Sequence, residues 1–230
     1  MISFFKFWRL RRIALELAQG VGNEAWKAMP RICEESEKAV EVLKSTREGS
    51  RVLDGVAIVM AFGVHVVDHY ARNFLDEGDR RQLVRKMLSR LLLEATRELA
   101  AFPANEGGAI TARALKGGET FLWELMRGVV DRLEQCDLLH LGGPESREES
   151  GRTSLNMCGI MLMSAFTEDC DVPKSKTQTW EEMEPKTLKL YDTGRAIAWE
   201  VHQRVQKNLY RLLEANGFQQ IREVGVVLRV

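Results

Sequence analysis

Net charge is what this chain most plainly lacks. Lys plus Arg and Asp plus Glu each total 33, so no global field draws it to nucleic acid or anionic lipid, and either kind of binding would need a local patch. Cysteine pairing is also missing. Cys33, Cys136, Cys158 and Cys170 are widely spread without a CxxC pair, which excludes a sequence-local zinc module and points to free thiols in a reducing, cytoplasmic setting.

Long apolar runs are absent too. The longest, Val56 to Val67, includes His65 and covers twelve residues, short of the roughly 20 that cross a bilayer. Residues 1–18 mix Phe4, Phe5, Phe7 and Trp8 with Lys6, Arg9, Arg11 and Arg12, so they do not read as a cleaved signal peptide and are expected to be retained. There is no Gly-rich phosphate loop, Gly-x-Ser-x-Gly elbow or kinase signature set. The glycine pairs at 107–108, 117–118 and 142–143 lack the flanking strand and Lys-Ser/Thr of a phosphate cradle. No solenoid-length repeat and no low-complexity tract is present.

What is there is helical patterning. Hydrophobic residues make up 45% and charged residues 29%, an ordinary globular balance. The expected fold is all-α: a single domain over 1–230, a bundle of about six to eight helices, with a hydrophilic internal linker at 142–153 and a short extended tail from Phe218 onward. Within 4–18, Phe4, Phe7, Trp8, Ala14, Leu15 and Ala18 form one side of an amphipathic helix. Gly20 and Gly22 are expected to end it, with Asn23 capping a turn around Trp26 and Pro30 opening the next helix. Gly49 and Ser50 then predict a break. Arg51 to Leu75 is apolar on nearly every face, as a helix enclosed by others must be.

Gly78-Asp79-Arg80-Arg81-Gln82 reads as an N-cap, after which Leu83, Val84, Met87, Leu88, Leu91 and Leu92 repeat at helical spacing. Segments 109–116 and 119–141 read as helical, and Ser146 with Glu149 has capping-box spacing. Leu155 to Phe166 is strongly apolar. Thr179 and Glu182 precede a helix that Pro185 restarts, with Ile197, Val201, Val205, Leu209 and Leu212 on one face and Asn216-Gly217 at its end. The core is expected to include Val56, Val59, Met60, Leu83, Leu88, Leu91, Leu125, Val201 and Val205.

The sharpest chemical pattern is His65-Val-Val-Asp68-His69, two imidazoles one helical turn apart with a carboxylate beside them, a spacing that can chelate a transition metal. The catalytic Glu of the zinc-protease motif is missing. Cys136 and His140 form the only comparable pair, so His65, His69, Asp68, Cys136 and His140 are the candidate metal ligands, with no cofactor identified. Against them stands a plainer assignment: His65 a core histidine with one hydrogen-bonded partner, His69 and Asp68 facing solvent or capping a neighbour.

Arg80, Arg81, Arg85, Lys86 and Arg90 form a positive stripe that could meet phosphates, but Asp76, Glu77 and Asp79 dilute it and no aromatic residue interleaves it, so a solvated face is favoured and nucleic acid is not the expected partner. Met157, Met161 and Met163 suit a core or an adaptable surface. The leading expectation is a helical interaction or oligomerising protein, with a protein partner or a second copy docking on the N-terminal helix or the Met-rich segment. A metal-dependent hydrolase or oxidoreductase centred on His65 and His69 is the second reading, and peripheral membrane or nucleic-acid binding through basic faces is the third.

Overall fold

In a computed structural model, residues 2–35, 46–101, 123–124, 126–134, 136, 153–166 and 185–220 are the ones described. They form six helices: α1 (Ile2–Glu35), α2 (Thr46–Ala71), α3 (Glu77–Ala101), α4 (residues 123, 124 and 126–134), α5 (Ser154–Phe166) and α6 (Pro185–Ala215). No strand occurs among the described residues. The all-α multi-helix bundle is therefore the fold. The expected linker at 142–153 lies outside the described residues apart from Thr153, and so does the extended tail beyond residue 220.

α2 is the hub, packing against α1, α3, α5 and α6. Its buried side chains surround the helix axis, Val56, Val59, Met60, Phe62, Val66 and Val67 among them, because neighbours cover every face. Val52–Ala71 is long and apolar enough to cross a membrane by composition, but 78% of it is buried inside the fold, so its apolar character is accounted for by the protein core. Leu83, Leu91, Val201 and Val205 are buried as expected. Leu88 is only partly buried, and Leu125 is not among the described residues.

The N-terminal third departs from its sequence reading. α1 runs unbroken through Gly20, Gly22 and Pro30 to Glu35, a span of about 51 Å, so none of these residues ends a helix and Asn23 caps nothing. A glycine costs about 1 kcal/mol and a proline about 3 kcal/mol relative to alanine inside a helix. Burial of Leu10, Ile13, Leu17, Val21, Ala25, Met29 and Ile32 along one face outweighs both, since a single buried aliphatic side chain contributes about 1.5–3 kcal/mol. α2 likewise begins at Thr46 and passes straight through Gly49 and Ser50.

Caps fix the other boundaries. The N-cap of α3 is Asp76, just upstream of the expected Gly78-to-Gln82 segment: its Oδ1 accepts the Asp79 amide (2.9 Å) and its carbonyl accepts the Arg80 amide (2.9 Å). That hydrogen bond holds the Asp76 carboxyl below its usual range, helped by Lys6. Thr153 caps α5 in the same way, Oγ1 accepting the Asn156 amide (3.2 Å). α6 closes as its Asn-Gly predicts. Gly217 adopts φ 78°, its amide bonds the Glu214 carbonyl (2.9 Å), and the Phe218 amide bonds the Leu213 carbonyl (3.0 Å), the paired bonds of a Schellman stop that glycine makes without strain.

Where α5 meets α6 the backbones nearly touch. A Cβ on Gly194 would lie 3.1 Å from the Gly159 carbonyl oxygen and 3.2 Å from its Cα, so both glycines are needed for that approach. Met161 and Met163 are buried in this corner and Met157 is partly buried against the core, so most of the methionine cluster is core packing.

Candidate functional site: a buried aromatic seam and a basic groove

The histidine pattern falls at the α2/α5/α6 junction. His65 Nε2 and the Ser154 Oγ share a hydrogen bond (2.9 Å), placing His65 as a half-buried histidine tied to the first residue of α5. Burial, aided by repulsion from His69, pushes its pKa down to about 4. The His69 pKa is lowered by burial and then by Arg72, and its ring meets Tyr70 edge-on at 5.1 Å. Asp68 accepts hydrogen bonds from Arg80, which ties α2 to the start of α3, and from Arg72 (3.4 Å).

Cys136 stands at a bend just past α4, its amide bonded to the Leu133 carbonyl (3.1 Å) and its thiol donating to the Arg132 carbonyl (3.5 Å). His140, the other half of the expected Cys136/His140 pair, lies outside the described residues. Among the described residues no three His, Cys, Asp or Glu side chains converge as a metal site would require.

What the motif missed is its tertiary partner. His202, 3% exposed on α6, shares a hydrogen bond between its Nε2 and the Tyr70 hydroxyl (2.9 Å) and stacks on Trp199 with ring centres 5.5 Å apart. Tyr210 packs edge-on against Tyr70 and Phe74, and Asn73 donates to its hydroxyl (3.2 Å). Desolvation, then the nearby His69, lowers the His202 pKa to about 4, while burial raises that of Tyr70 to about 12. Nδ1 of His202 has no protein partner. The seam keeps its groups neutral at ordinary pH and fixes the register of α2 against α6.

A second site, half visible in the sequence, opens on the other flank. α1 and α3 run parallel, as Lys6 pairs with Asp79 near one end and Gly22 lies beside Leu91 further along. Their turns leave a groove of about 1040 Å³ lined by Phe7, Trp8, Arg11, Arg12, Ala14, Leu15, Gln82, Arg85, Lys86, Ser89, Arg90 and Leu93. The α3 wall repeats every three or four residues, so one face of that helix builds it.

The amphipathic stripe expected on α1 is in fact two stripes. Leu10, Ile13, Ala14, Leu17 and Ala18 are buried, while Phe5 (63%), Trp8 (51%), Leu15 (38%) and Phe7 (37%) stay exposed.

Charge in the groove has one sign. Five of its lining residues are cations and none is a carboxylate. Arg12 is offset by Glu16 (3.2 Å) and Arg90 by Glu94 (2.8 Å). Arg80 and Arg81 of the sequence stripe are taken up by Asp68 and Glu77. Arg11, Arg85 and Lys86 have no carboxylate partner among the described residues. Lys86 sits over the Phe7 ring at 4.2 Å and Arg11 over the Trp8 ring at 5.3 Å. Aromatic residues thus do interleave the stripe, supplied across the groove by α1, which the sequence of α3 alone could not reveal. No protein-family model matches the chain, and no curated protein or solved structure is significantly similar to it.

Proposed function

We propose that this chain is a helical docking protein whose working surface is the groove between α1 and α3. The observation that carries the reading is one-signed charge on a concave apolar floor. Arg11, Arg85 and Lys86 lack carboxylate partners among the described residues and stand beside exposed Phe7, Trp8 and Leu15. An acid one helical turn away can offset a surface cation, as for Arg12, Arg81 and Arg90 here. A cluster of exposed aromatics and arginines is the composition enriched at protein interfaces. In the seam, by contrast, His202 is buried and hydrogen-bonded to Tyr70, and His65 to Ser154, which supports a structural role for the seam.

A photo-crosslinking residue at Leu15 or Ser89, compared with one at Lys207 on exposed α6 surface, tests the reading. Protein adducts specific to the groove positions, lost on reversing Arg85 and Lys86, are the expected result. Adducts no more frequent from the groove than from position 207 would remove the groove as the working surface.

A further inference from the structure

We infer that the occupant of this groove is an acidic amphipathic helix, an inference that rests on the docking reading above and names the chemistry of its partner. Shape is the first argument. A second, more polar pocket of about 520 Å³, lined by Gln19, Gly22, Asn23, Trp26, Met60, Arg90, Glu94 and Ala95, shares Arg90 with the first. The two pockets meet at Arg90, and their α1 lining residues run from Phe7 to Trp26. That distance is about 28 Å along a helix axis, the length of a helix of about 19 residues. A third helix laid in the furrow between two others is the packing that fills such a shape.

Chemistry is the second argument. The Phe7 to Leu93 half has an apolar floor of Ala14, Leu15 and Leu93 between walls carrying Arg11, Arg12, Arg85 and Lys86. A matching helix therefore carries an apolar stripe flanked by Glu or Asp, with its acidic turns concentrated at this end. The Gln19 to Glu94 half is near-neutral and asks for uncharged polar flanks.

Rival occupants fit less well. Cations already cover Phe7 and Trp8 faces, so base stacking, which an aromatic platform for single-stranded nucleic acid depends on, would have to displace them. A flat bilayer surface does not fill a groove. A second copy docked by the same face would set cations against cations, because an isologous contact pairs each patch with itself.

The test uses the full chain and four labelled probes followed by fluorescence anisotropy: a synthetic helix of about 19 residues with leucine on one face and glutamate on the flanks, the same peptide with lysine for glutamate, a scrambled peptide of the glutamate composition, and a single-stranded oligonucleotide. Vesicles of mixed zwitterionic and anionic phospholipid are tested in parallel by co-sedimentation. The glutamate helix is expected to bind at least about tenfold more tightly than the scramble, with affinity falling as salt shortens the Debye length, and the lysine helix not at all. Combined Arg11→Glu, Arg85→Glu and Lys86→Glu should weaken it by about tenfold or more, Trp8→Ala by about tenfold, and Lys207→Glu not measurably. Circular dichroism confirms that each variant remains folded.

Equal binding of the scramble, tighter binding of oligonucleotide or vesicles, or self-association abolished by the same charge reversals would each overturn the acidic helix. Groove-specific protein adducts without glutamate-helix binding would sink this partner chemistry and leave the docking reading standing. Loss of both would remove the two together.

Discussion

The α2/α6 seam and the α1/α3 groove use the same kinds of side chain, aromatic rings beside basic groups, in opposite ways. In the seam, His202, Tyr70, Trp199 and Tyr210 stack and bond to one another, and desolvation holds His65 and His202 neutral, with pKa values near 4. In the groove, Phe7, Trp8 and Arg85 are exposed, and Arg85 and Lys86 have no carboxylate partner among the described residues. The difference teaches that burial, more than residue type, decides whether a polar aromatic cluster stabilises a fold or presents a surface. Changes in the seam should therefore cost stability, and changes in the groove should cost only binding.

Acid gives the largest expected contrast. A histidine whose folded pKa is depressed to about 4 from 6.5 binds its proton in the unfolded state first. Its contribution is therefore fully present above about pH 6.5 and is lost as pH falls towards 4. For His202 this amounts to about 3 kcal/mol. Urea unfolding at pH 7 and pH 4.5 should show wild type losing more stability than His202→Gln by close to that amount. Equal losses would mean that His202 is already solvated.

Gly194→Val comes next. Its Cβ would press on the Gly159 backbone, which cannot rotate away as a side chain would, so a loss of about 2–3 kcal/mol is expected from overpacking. Thermal unfolding checks it, and a near-neutral result would show that α5 and α6 separate easily.

Tyr70→Phe keeps the ring and removes one hydroxyl, leaving Nε2 of buried His202 without the bond it now makes. The expected cost is about 1–2 kcal/mol, read from the urea midpoint. Smallest of all, Trp8→Ala and Arg85→Gln in the groove should shift stability by no more than about 0.5 kcal/mol. A loss comparable to that of Tyr70→Phe would place the groove within the structural core and erase the contrast.

Much of the architecture was legible in the chain. The apolar periodicity of 83–92 and of 197–212 predicted buried helix faces, and Asn216-Gly217 predicted the stop of α6, because these signals are local and neighbouring turns read them directly. Gly20, Gly22, Pro30, Gly49 and Ser50 misled for the same reason. They are locally unfavourable to helix, but for Gly20, Gly22 and Pro30 the long-range burial of α1 against α2, α3 and α6 outweighs a local cost that sequence inspection weighs alone.

The sites divide along the same line. By itself the sequence placed His65 and His69 on one helical face, predicted a hydrogen-bonded core histidine at 65, and marked a basic stripe on 80–90. Only the tertiary structure decided which groups those residues meet. Ser154 lies 89 residues from His65 and His202 lies 132 from Tyr70, while Phe7 is brought under Lys86 from the opposite helix. Periodicity reports which residues share a face, since it depends on one helix's own geometry. What that face touches depends on the packing of helices far apart in the chain, and this packing buried His202 beside Tyr70, set His65 against Ser154 and left Arg11, Arg85 and Lys86 facing an open groove.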